Sequence, residues 1–202
     1  MAEIDARLVK ELRDRSGAGM MDCKRALEEA DGDLDTAFEL LRRKGQASVA
    51  KRAGRSADQG VIESYIHFNK TVGTLVEINC ETDFVANTDE FRQLARDIAL
   101  HVASPLAPTY VSRDDVPEDL LESERQIYEV QAKELGKPDA VLPKIVEAKM
   151  QGFFEQTVLL EQPFVKDDSK TIRQLLDEVG AKVNEKVAVR RFVRFRLGDE
   201  SE

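Results

Sequence analysis

The chain has 202 residues, of which 42% are apolar and 34% charged, with a formal net charge of −9. That length supports a proper core and one large or two small soluble, helix-rich domains. The acidic balance argues against nucleic acid as the main partner, and no apolar run approaches the length of a membrane span. The start, Met1-Ala-Glu-Ile-Asp-Ala-Arg, lacks the basic and then apolar pattern of a signal peptide. The two cysteines, Cys23 and Cys80, are too far apart to suggest a disulfide framework and fit a reducing cytoplasm.

Residues 1–45 read as three short helices. Asp5 can cap the first, which carries Ile4, Leu8, Val9 and Leu12 and stops at Gly17. The second runs from about Met20 to Ala30, with Met21 or Cys23, Ala26, Leu27 and Ala30 inward. Asp33 caps the third, whose stripe is Leu34, Ala37, Phe38 and Leu41; Arg42-Arg43-Lys44 followed by Gly45 is a helix stop signal. Residues 46–60 bring Lys51, Arg52 and Arg55 together with glycine and serine and read as a basic linker, partly helical at most. A basic run of this kind either tethers in solvent or touches RNA, and this one offers no aromatic on which a base would stack.

Residues 61–202 change grammar to strand, strand, helices, strand. Ile62, Ile66 and Phe68 alternate, and Asn69-Lys70 offers a hairpin turn into Val72–Cys80. That second strand places Val72, Thr74, Val76, Ile78 and Cys80 on one face and Leu75, Glu77 and Asn79 on the other. A helix capped by Asn87 or Thr88 follows, with a stripe of Phe91, Leu94, Ala95, Ile98 and Val102. Two charged helices at about 118–135 and 143–160, joined by Gly136-Lys137-Pro138, form a helical hairpin, and a further helix spans about 171–183. The closing strand carries Val187, Val189, Val193, Phe195 and Leu197 on one face and Arg190, Arg194 and Arg196 on a solvated cationic face. The whole predicts an α+β fold: a three-helix unit, then a three-stranded antiparallel sheet packed with helices.

Motifs for covalent chemistry do not emerge. Gly17-Ala18-Gly19-Met20-Met21-Asp22 lacks the third glycine and the preceding strand of a dinucleotide loop. His67, His101, Cys23 and Cys80 have no metal-ligand spacing. His101 falls on the stripe side of its helix, whereas His67 sits opposite Ile66 and Phe68, toward solvent. The carboxylates scatter over helix surfaces, and no serine or cysteine lies in a recognisable nucleophile elbow. This leaves two exposed candidates for binding another protein, the turns Gly17–Lys24 and Thr82–Val85. Phe84 either continues the strand's even face and caps the core or is held outward between two rigid elements. For Met20 and Met21 the alternatives are one buried and one exposed, or an adaptable contact pair.

Both turns lie in strings that resemble translation elongation factor Ts. Leu12-Arg-Asp-Arg-Ser-Gly-Ala-Gly-Met-Met-Asp-Cys-Lys-Arg-Ala-Leu27 is similar to the family's amino-terminal signature, and Glu77-Ile-Asn-Cys-Glu-Thr-Asp-Phe-Val-Ala-Asn87 to its second. Similarity continues through Gln162-Pro-Phe-Val165, Lys170-Thr171 and 195–198, so it covers nearly the whole chain. The resemblance implies a guanine nucleotide exchange factor for the GTPase elongation factor Tu, with no cofactor, no metal of its own and no covalent step. It implies that residues 1–45 resemble a ubiquitin-associated domain. It further implies that Thr82, Asp83, Phe84 and Val85 enter the GTPase near its magnesium and phosphate site, Phe84 as wedge and Asp83 as polar anchor. Met20, Met21 and Lys24 match positions that grip the nucleotide-binding domain. An adaptor built on the three-helix unit, without exchange activity, has no need of the Asp83-Phe84 turn. Longer family members carry two sheet-and-helix halves and a further helical module at the carboxyl end, where this chain has one three-stranded sheet. The expectation is a homodimer in which two apolar sheet faces form a sandwich.

Overall fold

Helical and alternating periodicities in this chain resolve into separate elements in the computed structural model, which describes residues 5–16, 18–52 and 54–199, with side chains outside 46–50. Three helices come first: α1 (Ala6–Ser16), α2 (Met20–Glu29) and α3 (Leu34–Arg52). Strands β1 (Gln59–Ile66) and β2 (Val72–Cys80) lead through a one-turn helix, α4 (Asp83–Ala86), into α5 (Asp89–Val102). Helices α6 (Glu118–Glu134) and α7 (Leu142–Thr157), the hairpin β3 (Pro163–Phe164) and β4 (Asp167–Thr171), helix α8 (Ile172–Val183) and strand β5 (Ala188–Arg196) complete the fold. The class is α+β, with an antiparallel sheet in the order β1-β2-β5. No described helix is long and apolar enough to cross a membrane.

The chain divides into two compact units: Met1–Val61 with Asn79–Leu94 and Leu176–Ala188, and Ile62–Ile78 with Ala95–Leu175 and Val189–Glu202. In the first, α1, α2 and α3 enclose their own core of Val9, Leu12, Cys23, Ala26, Leu27, Ala30, Ala37 and Leu41. Ile4 and Gly17, assigned from sequence to the first helix and its stop, lie outside the described residues. Asp33 caps α3 through its Oδ1, which accepts the Thr36 N–H at 2.7 Å. The predicted stop at Gly45 is not where this helix ends. It continues to Arg52, because Gln, Ala and Lys after the glycine are strong helix formers and one interior glycine costs only about 1 kcal/mol. At its end, the Arg52 guanidinium donates to Asn184 Oδ1 at 3.4 Å.

In the second unit, Thr74 and Val76 are buried on the even face of β2, and the Thr74 hydroxyl donates to the Ala99 carbonyl of α5 at 2.9 Å. The opposite face is open: Ile62, Ile66, Leu75, Val193, Phe195 and Leu197 are all exposed. Gly73 belongs to that face; a Cβ there would stand 2.9 Å from Ile66 Cδ1, so the isoleucine lies across the strand where a side chain would have been. On the predicted cationic face of β5, Arg190 and Arg196 are exposed, while Arg194 is half-buried beside Asp199. Arg190 lies 3.6 Å from Glu77, which Arg191, on the other face, reaches at 2.7 Å. Helices α6 and α7 close around Ala132, Val146 and Met150, with Gly136 (φ 62°) in the left-handed position that ends α6.

The β3–β4 hairpin, which periodicity does not mark, is tied to a buried histidine. Val165 N–H donates to His101 Nδ1 at 3.2 Å, so Nε2 carries the proton and donates to Gln162 Oε1 at 2.9 Å. The Gln162 amide donates onward to the carbonyls of Gln156 and Leu106 at 2.8 and 3.2 Å. His67 is half-buried rather than solvated, with its Nδ1 3.1 Å from the Tyr65 hydroxyl.

Burial holds the His101 pKa below its ordinary 6.5, outweighing the opposing bond to Gln162. The folded state therefore resists a proton that the unfolded state accepts, so the contribution is complete above pH 6.5 and is lost as pH falls through the depressed folded value. Urea unfolding between pH 7.5 and 5 is expected to show wild-type stability falling more steeply than that of His101→Gln; parallel curves would contradict this.

Candidate functional site

Between β2 and α5 the backbone runs Cys80-Glu81-Thr82 and then makes the expected turn, which takes the form of a single helical turn, α4. Thr82 takes extended dihedrals (φ −127°, ψ 154°) and its Oγ1 accepts the Val85 N–H, the geometry of an N-cap. The Ala86 N–H bonds the Thr82 carbonyl at 3.2 Å, while the Asn87 backbone and side-chain amides both donate to the Asp83 carbonyl, at 3.1 and 2.9 Å. Thr88 donates its hydroxyl to the Val85 carbonyl at 2.8 Å and accepts from Phe91 N–H at 3.3 Å, so one residue closes α4 and opens α5. Arg92 braces Asn87 through Oδ1 at 2.8 Å.

This frame decides where each side chain goes. Ala86 is buried, Thr82 and Val85 are half-buried, and Asp83 and Phe84 face outward. Phe84 is 82% exposed. The open alternative for Phe84 is thereby resolved: it does not cap a core. Cys80 ends the strand's buried face, and its thiol donates to the Thr82 carbonyl at 3.1 Å.

Behind the turn lies a set of carboxylates that sequence reading missed. The Glu81 and Thr82 backbone N–H groups both donate to Glu185 Oε2 at 3.0 Å, and the Thr82 hydroxyl donates to Glu185 Oε1 at 2.6 Å. In return, Lys186 N–H donates to Glu81 Oε1 at 2.6 Å, and Arg55 reaches the same carboxylate at 3.2 Å. The Lys186 N–H, with Arg55 adding its charge, holds Glu81 below the ordinary carboxylate pKa. Nothing in the sequence signals this pairing, since Glu185 stands 103 residues from Thr82 in a polar turn.

The second candidate set sits on α2. Its buried side is Cys23, Ala26 and Leu27, which leaves Met20 and Met21 at 58% and 60% exposure, so both methionines are outside. Lys24 shares their helical face at spacings of four and three, and its ammonium is 3.8 Å from Glu28. The two sets are thus built on different elements, α2 and α4. Among the described residues, no group of three or more His, Cys, Asp or Glu is placed to hold a metal ion.

The family model for elongation factor Ts matches residues 40–199. The chain belongs to the elongation factor Ts family. Relatives named elongation factor Ts agree with it over nearly its full length. The protein from Carboxydothermus hydrogenoformans is 56% identical over 97% of this chain and 90% of its own. Those from Thermosipho melanesiensis and Coprothermobacter proteolyticus are 52% and 54% identical, over 97% and 98% of this chain and 100% of theirs. Family membership assigns the chain to translation elongation.

Burial pushes the Cys80 thiol up to about 11, and the charge of Glu185 adds to the effect. At pH 8 only about one thiol in a thousand would then be ionised. Ellman's reagent at that pH is expected to leave Cys80 unmodified in the native protein and to titrate both free cysteines after unfolding. Rapid labelling of native Cys80 would contradict this.

Proposed function

We propose that this protein is the guanine nucleotide exchange factor of elongation factor Tu, acting through the Asp83-Phe84 turn. The observation that carries the proposal is Phe84, 82% exposed on a capped and braced helical turn in a chain of the elongation factor Ts family. A phenylalanine seated between partner elements gains about 1.5–3 kcal/mol from burial, which offsets displacement of the partner's own packing. Magnesium in nucleotide sites is held largely through phosphate and water and demands near-ideal octahedral geometry, so small shifts around it weaken its hold. Phe84 acts as the wedge, Asp83 as the polar anchor, and Thr82 and Val85 as the shoulders of the turn. Exchange is then a coupling of affinities: binding of the factor weakens GDP and GDP weakens the factor equally. The chain needs no cofactor and catalyses no covalent step, and its place of action is the cytoplasm.

In this reading, residues 1–45 form a domain similar to a ubiquitin-associated domain that grips the GTPase with Met20, Met21 and Lys24. Residues 46–60 connect it to a core of 61–202. Two chains pair through the open sheet face of Ile62, Ile66, Leu75, Val193, Phe195 and Leu197, an apolar surface that a second copy covers as a sandwich. Direct contact with nucleic acid and membrane plays no part.

Stopped-flow release of fluorescent GDP from elongation factor Tu tests the turn. Phe84→Ala and Asp83→Ala are expected to slow release at saturating factor, Phe84→Ala by about tenfold or more. Unchanged release by both variants removes the turn from the mechanism. Met21→Ala and Lys24→Ala are instead expected to raise the concentration needed for half-maximal release. For the pairing, Phe195→Asp should convert a dimer to monomer in sedimentation at micromolar concentration, and a wild-type monomer there overturns it.

A further inference from the structure

A one-turn helix fixes its own shape but not its direction. The bonds inside α4, from the Thr82 cap to Thr88, define the turn, yet four residues are far below the length at which a helix holds itself in water. Phe84 receives little support from packing, because it faces outward. Its direction must therefore come from the backbone on either side. On the α5 side, Thr88 and Arg92 supply it. On the strand side the critical joint is Glu81-Thr82, where β2 has ended and α4 has not begun.

At that joint the two successive N–H groups and one hydroxyl converge on the Glu185 carboxylate, at 3.0, 3.0 and 2.6 Å. Glu185 is half-buried, so it is partly withdrawn from the competition of water, and charge-assisted bonds of this kind are shorter and stronger than neutral ones. Thr82 donates its hydroxyl proton to Glu185 and keeps its oxygen lone pair for the Val85 N–H; the carboxylate thereby orients the cap itself. Glu185 is in turn fixed from behind. Its own N–H donates to the Gly180 carbonyl at 3.2 Å, and a Cβ on Gly180 would stand 2.9 Å from the Glu185 carbonyl oxygen, closer than real side chains approach.

We propose that Glu185 is a positioning residue for nucleotide exchange, holding Glu81-Thr82 so that Asp83 and Phe84 are presented at one angle before the GTPase arrives. The inference rests on the exchange reading of the turn. Such preorganisation spares the encounter the cost of ordering a loop, and a misplacement of about 1 Å in a group that must act at a fixed point costs up to about a hundredfold in rate.

The test uses the full chain, elongation factor Tu and fluorescent GDP. Glu185→Ala is expected to lower the saturating release rate about tenfold or more, with half-saturation within about threefold of wild type, since the α2 surface is untouched. Glu185→Gln keeps an acceptor for the two N–H groups and is expected to recover release to within about threefold of wild type. Amide exchange at Glu81 and Thr82 should accelerate about tenfold in Glu185→Ala while the core amides stay protected. Adding Glu185→Ala to the double variant Asp83→Ala/Phe84→Ala should slow release no further than that double variant alone. Wild-type release by Glu185→Ala, or effects that add to those of Asp83→Ala/Phe84→Ala, overturns the positioning role, while a slow Phe84→Ala still supports the wedge. If Phe84→Ala releases GDP normally, the wedge fails and the positioning role falls with it. Gly180→Ala, which displaces the Glu185 backbone without altering its carboxylate, decides the case if Glu185→Ala does not fold: it must slow release, and wild-type release by it overturns the proposal.

Discussion

Keeping a phenylalanine in water is work that a fold must do deliberately. The hydrophobic effect drives Phe84 toward any surface within reach, its own core included. What resists this is a network of directional bonds around the backbone of 81–88: a threonine cap, two asparagine amides on one carbonyl, a bridging threonine and a carboxylate behind the joint. Each is modest alone, but they act on consecutive peptide units, so the turn cannot rotate inward without breaking several together. Ala86 contributes by being small. It is the residue of α4 that faces inward, and it offers too little side chain to lever the turn away from the interior.

The sheet meets the same constraint differently. Its even β2 face is satisfied within the chain, by α5 and by buried Thr74 and Val76. The other face spreads five large apolar side chains over three strands, with Leu197 just past the end of β5 as a sixth. The face also carries charge: Glu77, on the same side of β2 as Leu75, pairs with Arg191 at 2.7 Å and Arg190 at 3.6 Å. The interior polar groups are handled with equal economy of partners. His101 and Gln162 satisfy one another and three backbone groups around the β3–β4 hairpin, so that a short and otherwise weak hairpin is anchored at its base.

Much of this was readable from residues alone. Period 3.6 located α2, α5, α6, α7 and α8, and strict alternation located β1, β2 and β5, because each buries one face and so repeats its pattern over several turns or pleats. The strings around Met20 and Phe84 carried the family. Failures occurred where a local signal is outweighed by its neighbours, where an element is too short to repeat a pattern, and where the partner lies far along the chain. The run Arg42-Arg43-Lys44-Gly45 has every mark of a helix end, yet the residues that follow keep α3 helical to Arg52. The β3–β4 hairpin pairs only two residues with five and has no pattern to repeat. Thr82 looked like an ordinary turn residue because its partner, Glu185, is brought to it only by the completed fold.

Gly73 shows how an omission can shape a surface. Because no Cβ rises there, Ile66 lies down across β2 and the open face loses a ridge it would otherwise carry. A surface levelled in this way admits a close, flat neighbour, and its smoothness depends on one missing carbon rather than on the six residues that make it apolar. Sequence drift among those six can exchange one aliphatic group for another and leave the contour intact. Change at residue 73 acts through contour instead: a single added methyl group would meet Ile66 Cδ1 at 2.9 Å, so the end of that side chain would have to leave the place it now fills.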